Sequence, residues 1–416
     1  MEYSLGFAKT SMKVSIEGKN LLNVLHANEV QIELTGPAEV KRAIENPIGS
    51  DRLYKIVKPG EKIAIITSDI TRPMPSKVVL PVVLEELYKA GIKDEDITIV
   101  FALGSHRKHS EKEKQYLIGE EIYSRISCID SDVKDFVHFG YTENKTPIDI
   151  FTPVAKADRR ICLGNIEYHY FAGYSGGAKA IMPGVSTREA IQANHSRMVE
   201  DAAYAGNLTT NPVRKDIEDT IKLVPIDFIV NVVLNEKKEI IKAVAGHYIE
   251  AHREGCRFLD GFYKIPIKDK ADIVISSIGG YPKDLNLYQA QKALDNAKHA
   301  VKNGGIIILV ASCKEGLGED VFEKWLLEAE KPEDLVQKIK TNFVLGGHKA
   351  AAIAMVLENA RVFLVSELEP EFVRNIFLEP FSNVQRALDS AYEALGEDAK
   401  VILIPHGGSI LPVLKK

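Results

Sequence analysis

Ile63-Ala64-Ile65-Ile66-Thr67 is a continuous apolar run that ends in the polar pair Ser68-Asp69. Runs of this kind, without alternation, form strands buried on both faces, as in parallel sheets. A Pro-containing turn follows, and Val78 to Ala90 then reads as a helix closed by Gly91. Ile97-Thr98-Ile99-Val100-Phe101-Ala102 is the next strand, ending in Leu103-Gly104-Ser105-His106, and the charged stretch Glu111 to Arg125 is the next helix. Arg160 to Asn165 and Phe228 to Leu234 are further strand-like runs. Strands alternating with helices in this way predict α/β architecture.

The pattern restarts after Tyr263. Lys264 to Lys270 is polar, contains Pro266 and reads as a linker. Ala271 to Ile278 reads as a strand ending in Gly279-Gly280, and Leu285 to Asn303 as a helix closed by Gly304-Gly305. Ile306 to Val310, Val362 to Val365 and Val401 to Ile404 are the remaining strands. The expected architecture is two α/β domains with mostly parallel sheets, 1–267 and 268–416, and an active site in the cleft between them. Ligands of open parallel sheets sit beyond the carboxyl ends of the strands. That places Asp69 to Arg72, His106 and the stretch from Glu167 onward among the functional candidates.

A chain of 416 residues accommodates two or three domains at about 150 residues each. With 45% hydrophobic and 27% charged residues, it is a globular mixture, not a disordered or collagenous one. Lys+Arg number 53 against 58 Asp+Glu, for a net charge of -5, and the cations do not cluster. Nucleic acid is therefore not an expected partner, whereas a few cations in a cleft still attract an anionic small molecule. The four cysteines lie far apart with no C-x-x-C pair, which excludes a zinc ribbon or thioredoxin-type site and predicts a reducing, cytoplasmic setting. The N-terminal residues lack a signal-peptide pattern, and no apolar run approaches the roughly 18 residues that cross a bilayer. A soluble protein without a membrane partner is expected.

Four segments carry chemistry. In Tyr168-His169-Tyr170-Phe171-Ala172-Gly173-Tyr174-Ser175-Gly176-Gly177-Ala178-Lys179-Ala180-Ile181-Met182-Pro183-Gly184, glycines surround one lysine. Glycine permits close backbone approach to a ligand. The spacing mimics a Walker A loop, but Ala178 and Ala180 stand where that loop needs Gly and Ser/Thr, so an ATP-hydrolysing P-loop is disfavoured. The segment is either a tight turn with a solvated Lys179 or a pocket presenting its amine as phosphate ligand or covalent anchor. Among the eleven histidines, His106, His169 and His195 stand out by position, while His109, His138, His247, His252 and His299 read as structural. Two histidines opposed across a substrate suit reversible acid/base work. Ser68-Asp69-Ile70-Thr71-Arg72-Pro73 offers acceptor, hydroxyl and guanidinium directly after a strand, either as an Asx-turn or as a carboxylate or phosphate contact. Gln289 and Lys292 share a helix face at i and i+3, either as a solvated face or as a grip on a carboxylate.

Together these segments resemble the nickel-dependent 2-hydroxyacid racemases, the lactate racemase family, in order and spacing over most of the chain. The glycine loop with Lys179 is the most specific element of the match. The resemblance implies nickel held in a nickel-pincer nucleotide, a pyridinium-3-thioamide-5-thiocarboxylic acid mononucleotide, covalently bound through Lys179, with His195 completing the nickel coordination. By the same resemblance Asp69, Ile70, Thr71 and Arg72 contact cofactor and substrate. His106 and His169 are the acid/base pair, and Gln289 and Lys292, with Arg72, hold the substrate carboxylate. The implied reaction is racemisation or epimerisation of a small-molecule 2-hydroxy acid. Hydride passes to the cofactor while a histidine takes the hydroxyl proton, and it returns to the other face of a 2-keto acid. Cofactor-building enzymes are implied as partners for loading. Gly346-Gly347-His348-Lys349-Ala350 stands where the lactate-specific pattern has a bulky aromatic, and the one Trp, Trp325, lies elsewhere in the sequence. A longer or more polar acid thus stands beside lactate as candidate substrate. A zinc-dependent hydrolase or lyase built on the same histidines, and an anion-binding sensor using the loop alone, are the alternatives.

Overall fold

Val and Ile fill the central strands from end to end, so both faces of each large sheet must be covered. The computed structural model describes residues 1–235 and 237–415, which divide into two compact units: Val30–Asp260, and Met1–Glu29 together with Gly261–Lys416. The α/β class with large, mostly parallel sheets is present in each.

In the first unit the six-stranded sheet runs, edge to edge, Ile240–Gly246, Phe228–Leu234, Arg159–Asn165, Ile63–Ser68, Ile97–Ala102 and Ser127–Asp130. Only Ile240–Gly246 is antiparallel to its neighbour. Ile63 to Thr67 are all buried. Helix Ser76–Lys89 covers them with Val79, Leu80, Val83, Leu84 and Leu87. The expected helix Glu111 to Arg125 is two, Glu111–Ile118 and Glu120–Arg125. Gly119 between them has φ +87°, a left-handed stop that Gly accepts at little cost. Ile63–Ser68 is flanked by Ile97–Ala102 on one side and Arg159–Asn165 on the other. The chain thus leaves neighbouring strands in opposite directions there, which is where such sheets open a crevice for ligands.

In the second unit the six-stranded sheet is parallel throughout, in the order Glu379–Phe381, Ala360–Val365, Val301–Val310, Ala271–Ser277, Val401–Ile404, Leu21–Val24. Helix Leu287–Ala297, shorter than expected, follows Ala271–Ser277 and buries Leu287, Ala290, Ala293, Leu294 and Ala297. Two sequence expectations differ here. Residues 1–29, assigned by sequence to the 1–267 domain, pack in this unit. Leu21–Val24 pairs with Val401–Leu403, and the hairpin Glu2–Phe7/Thr10–Ser15 buries Leu5, Phe7 and Val14 in its core. The expected linker is a strand, Lys264–Ile267, paired with Leu411–Leu414. Ile265 and Ile267 are buried while Pro266 is exposed, a period-2 pattern whose Pro sits where its missing N–H costs nothing.

Candidate active site

Three carboxyl strand ends of the first unit deliver most of the candidate residues. Asp69, buried just past Ile63–Ser68, accepts a hydrogen bond from His106 Nδ1 and a second from Thr71 Oγ1 at 2.8 Å. Arg72 Nη1 donates to Thr71 Oγ1 at 3.3 Å. Burial raises the Asp69 carboxyl, but the His106 hydrogen bond and the charges of His106 and Arg72 outweigh it and hold the group below the ordinary carboxylate range. Asp69 is therefore an anion that orients His106 through Nδ1 and leaves the proton of the neutral ring on that nitrogen rather than on Nε2. Ile70 is fixed by its backbone. Its N–H donates to His109 Nε2 at 3.0 Å, and His109 Nδ1 donates to Asp130 Oδ1 at 2.7 Å. His109, structural by its sequence context, thus anchors the turn that bears Asp69, Thr71 and Arg72.

The glycine-rich segment begins as a short hairpin, Tyr168–His169 against Gly173–Tyr174. It then enters a single 3-10 turn, Gly177–Ala180, that carries Lys179. A P-loop would open an α-helix here; a 3-10 turn offers no such helix start, in line with the missing Walker A residues. Gly176 and Gly177 both have positive φ, +77° and +59°, and a Cβ at Gly176 would meet Asn231 Oδ1 at 2.7 Å. That same oxygen accepts the Gly177 N–H at 2.7 Å. Arg214, wholly buried, clamps the loop from beneath. Its Nε donates to Ala172 O at 3.3 Å, its Nη1 to Gly176 O at 3.4 Å and its Nη2 to Tyr174 O. His252 Nε2 donates to Ser175 O at 2.7 Å.

Lys179 is half-buried and its amine finds no hydrogen-bond or ion-pair partner among the described residues. Desolvation, then the charges of Arg214 and Arg72, push the amine well below its ordinary value. It stands 6.0 Å from the Phe171 ring centroid. The same buried ring packs edge-on against His169, centroids 4.5 Å apart, and against His195 at 4.9 Å. Lys179, His169 and His195 therefore share one aromatic hub. His169 accepts a hydrogen bond from Ala172 N at 3.3 Å. Desolvation, then Lys179 and His195, hold it well below the usual imidazole range, so it stays neutral. His195 ends helix Arg188–His195, which Thr187 caps by accepting from Ala190 N at 3.3 Å. The Asn194 carboxamide oxygen lies 2.8 Å from His195 Nδ1. Arg72 contributes to the electrostatics of both Lys179 and His169, so the Asp69 and Lys179 clusters adjoin.

Gln289 and Lys292 belong to the second unit. Both are exposed on helix Leu287–Ala297, whose start is capped by Asn286 accepting from Gln289 N at 3.0 Å. In the same unit Gly347 abuts the Trp325 indole, whose atoms a Cβ would meet at 2.6 Å. The sequence distance that set Trp325 apart from Gly347 is thus closed by folding. Lys349 donates to the Tyr288 carbonyl and lies 3.9 Å above the Tyr288 ring. Sequence reasoning missed Phe171, Arg214 and Asn194. Phe171 and Asn194 lie inside segments it had singled out, whereas Arg214 carries no signal before the fold buries it.

Two α/β units with mostly parallel sheets, one of them carrying a glycine loop with a desolvated lysine amine beside histidines, define an α/β protein with a candidate ligand site. The lactate racemase N-terminal domain model matches residues 7–206 and the lactate racemase C-terminal domain model residues 267–412. The lactate racemase of Thermoanaerobacterium thermosaccharolyticum is 33% identical over 417 aligned residues, covering 97% of each chain. That of Lactiplantibacillus plantarum is 34% identical over 419, covering 98% of each. The structure of the lactate racemase apoprotein from T. thermosaccharolyticum superposes with a TM-score of 0.90 at 32% identity, over 100% of both chains. A Thermotoga maritima protein with a TM-score of 0.66 and 18% identity shares the fold. The chain belongs to the lactate racemase family.

Proposed function

We propose that this chain racemises or epimerises a 2-hydroxy carboxylic acid, with a nickel-pincer nucleotide attached through Lys179 and His195 as the protein's ligand to nickel. The observation that carries the proposal is the Lys179 amine, desolvated, without a polar partner among the described residues, and sharing the Phe171 ring with His195 and His169. A lysine kept neutral is a nucleophile suited to covalent attachment. Among the described residues no three His, Cys, Asp or Glu converge to hold a metal ion. One imidazole fits a metal whose other ligands come from an organic group; it does not fit the three protein ligands of a catalytic zinc site. That counts against the zinc hydrolase alternative.

When bound, the group supplies a reversible acceptor for the hydride on the alcohol carbon. The protein does the rest. His106 takes the hydroxyl proton at Nε2, and the Asp69 carboxylate on Nδ1 steadies the resulting cation. His169, neutral and enclosed, serves the other enantiomer. Arg72, Gln289 and Lys292 are assigned to the substrate carboxylate, so that the reacting carbon turns over while its anchor stays held. Lactate is the first candidate substrate, since both curated relatives are lactate racemases. The two glycines at 346–347 offer little support for a larger acid, because the Trp325 indole and the Glu319 carboxylate occupy the space beside them.

The test is intact mass and nickel content of protein co-produced with cofactor-building enzymes. A panel of lactate, malate, 2-hydroxyglutarate, phenyllactate and gluconate follows, read as kcat/KM. An adduct on Lys179, one nickel per chain and turnover of a 2-hydroxy acid are expected. Full activity in Lys179→Ala would refute the proposal.

A further inference from the structure

Helix Arg188–His195 ends on two polar side chains in succession, and the first is more deeply buried than the second. Asn194 is fully buried, and its Nδ2 donates to Val213 O at 3.2 Å and to Asp216 Oδ2 at 2.8 Å. Asp216 is itself fully buried and, among the described residues, meets only neutral donors at hydrogen-bond distance: Thr142 Oγ1 at 2.5 Å, Thr146 Oγ1 at 2.6 Å, and Asn144 Nδ2 at 3.4 Å, besides Asn194. Thr142 and Thr146 lie at either end of one tight turn, whose Thr142 N–H donates to Thr146 O at 3.0 Å.

This network leaves Asn194 one orientation. A backbone carbonyl such as Val213 O has no proton to give, so the Asn194 atom facing it must be the amide nitrogen. The carboxamide oxygen then faces His195 Nδ1 at 2.8 Å. An amide oxygen only accepts, so Nδ1 must carry the hydrogen. We infer that Asn194, locked by Asp216 and Val213, fixes His195 in the Nδ1–H tautomer and so reserves Nε2 as the ring's electron-pair donor. Asn194 and Asp216 are thus positioning residues. They touch no reacting atom but decide which nitrogen of His195 serves as ligand. Free imidazole side chains favour the opposite tautomer, so the protein is imposing a choice rather than accepting one. An uncharged carboxamide fixes the ring without adding a charge beside the metal site, whereas a carboxylate partner would favour imidazolium, which cannot bind metal.

The inference rests on the reading of His195 as nickel ligand for its purpose, but not for its test. The cofactor-free chain is labelled with 15N-histidine, and ring nitrogen shifts are recorded at a pH where imidazoles are neutral, with His195→Gln identifying the signal. The expected result is His195 protonated on Nδ1, with Nε2 carrying the lone pair. In Asn194→Leu the ring should pass to a majority of Nε2–H. Nickel affinity after cofactor loading should fall about 10–100-fold, the usual loss when a group behind a metal-ligating His is removed. An Nε2–H signal in the unsubstituted chain overturns the inference, as does an unchanged tautomer in Asn194→Leu. Should Asn194→Leu fail to fold, the unsubstituted spectrum decides alone. Normal nickel content in His195→Gln would instead strike at the ligand assignment and leave the tautomer result standing.

Discussion

Lys179 has to be neutral before it can form a bond to an incoming group, and its surroundings favour that state. An ordinary lysine, with a pKa near 10.4, is neutral in only about one molecule in a thousand at pH 7.5. The amine here is desolvated, faces Arg214 and Arg72, and has no carboxylate partner among the described residues. All three act in one direction. The nucleophilic fraction therefore rises from that level toward its ceiling of one, which lies about three decades above a surface lysine at pH 7.5. The assay is competitive acylation of the cofactor-free chain by a small anhydride across pH 5 to 11, with peptide masses reporting each lysine. Exposed lysines with no carboxylate partner among the described residues, such as Lys112, serve as internal standards. Access slows Lys179 by a constant factor, so the shape of the curve is what is read. Lys179 should level off well before the standards, which should still be rising near pH 10. The linkage runs the same way. A folded chain that binds one proton fewer than the unfolded one gains stability as pH rises toward the ordinary lysine value, and loses it as pH falls. Lys179→Met should flatten that slope and stabilise the cofactor-free chain at neutral pH. A Lys179 curve parallel to the standards, together with an unchanged stability slope in Lys179→Met, would refute the reasoning.

His106→Ala and His169→Ala should each lower racemisation by about 10²–10⁴-fold with folding retained; a near-normal rate would mark that histidine as structural. His195→Ala should lose nickel while the mass adduct on Lys179 persists, seen by metal analysis and intact mass on one sample. Arg214→Met should fail to accumulate as folded protein. Each buried carbonyl stripped of its donor costs about 1–3 kcal/mol, and three of them approach the about 5–15 kcal/mol that holds a domain together. Unaltered thermal unfolding of that variant would show that the loop needs no clamp.

The parallel strands were legible because burial on both faces writes itself as unbroken Val/Ile runs. Ile97–Ala102 and Phe228–Leu234 match their sequence bounds residue for residue. The hairpin Glu2–Phe7/Thr10–Ser15 carried a signal that went unused: Tyr3, Leu5 and Phe7 alternate with polar or small residues, and that is the mark of a strand with one wet face. The helix Glu111–Ile118 ended early because one Gly with positive φ outweighs a run of good helix formers. Around the candidate site, Lys179, His169 and His195, singled out by type and position, do gather at the Phe171 ring. Residues that hold those groups were not, because the roles of Arg214 and Asp216 exist only where chain segments far apart in sequence meet. Neither type announces itself, since Arg and Asp are ordinarily surface residues.

The placement of residues 1–29 alters how this chain must be built over time. The unit they complete needs strands that the ribosome adds last, Ala271–Ser277 through Val401–Ile404, before Leu21–Val24 has an edge to join. Chain entry and exit lie side by side, where Asn28 N donates to Phe262 O at 2.8 Å. Val30–Asp260 is therefore an insertion within its host, free to condense during translation while the leading hairpin waits for the core it packs on. With synthesis at about 5–20 residues per second, the stretch from residue 30 to residue 401 keeps that hairpin waiting for tens of seconds. An alternating apolar segment left uncovered for that long is a target for chaperones. An affinity tag or deletion at the amino terminus would accordingly fall on the late-assembling host and spare the inserted unit that carries Lys179.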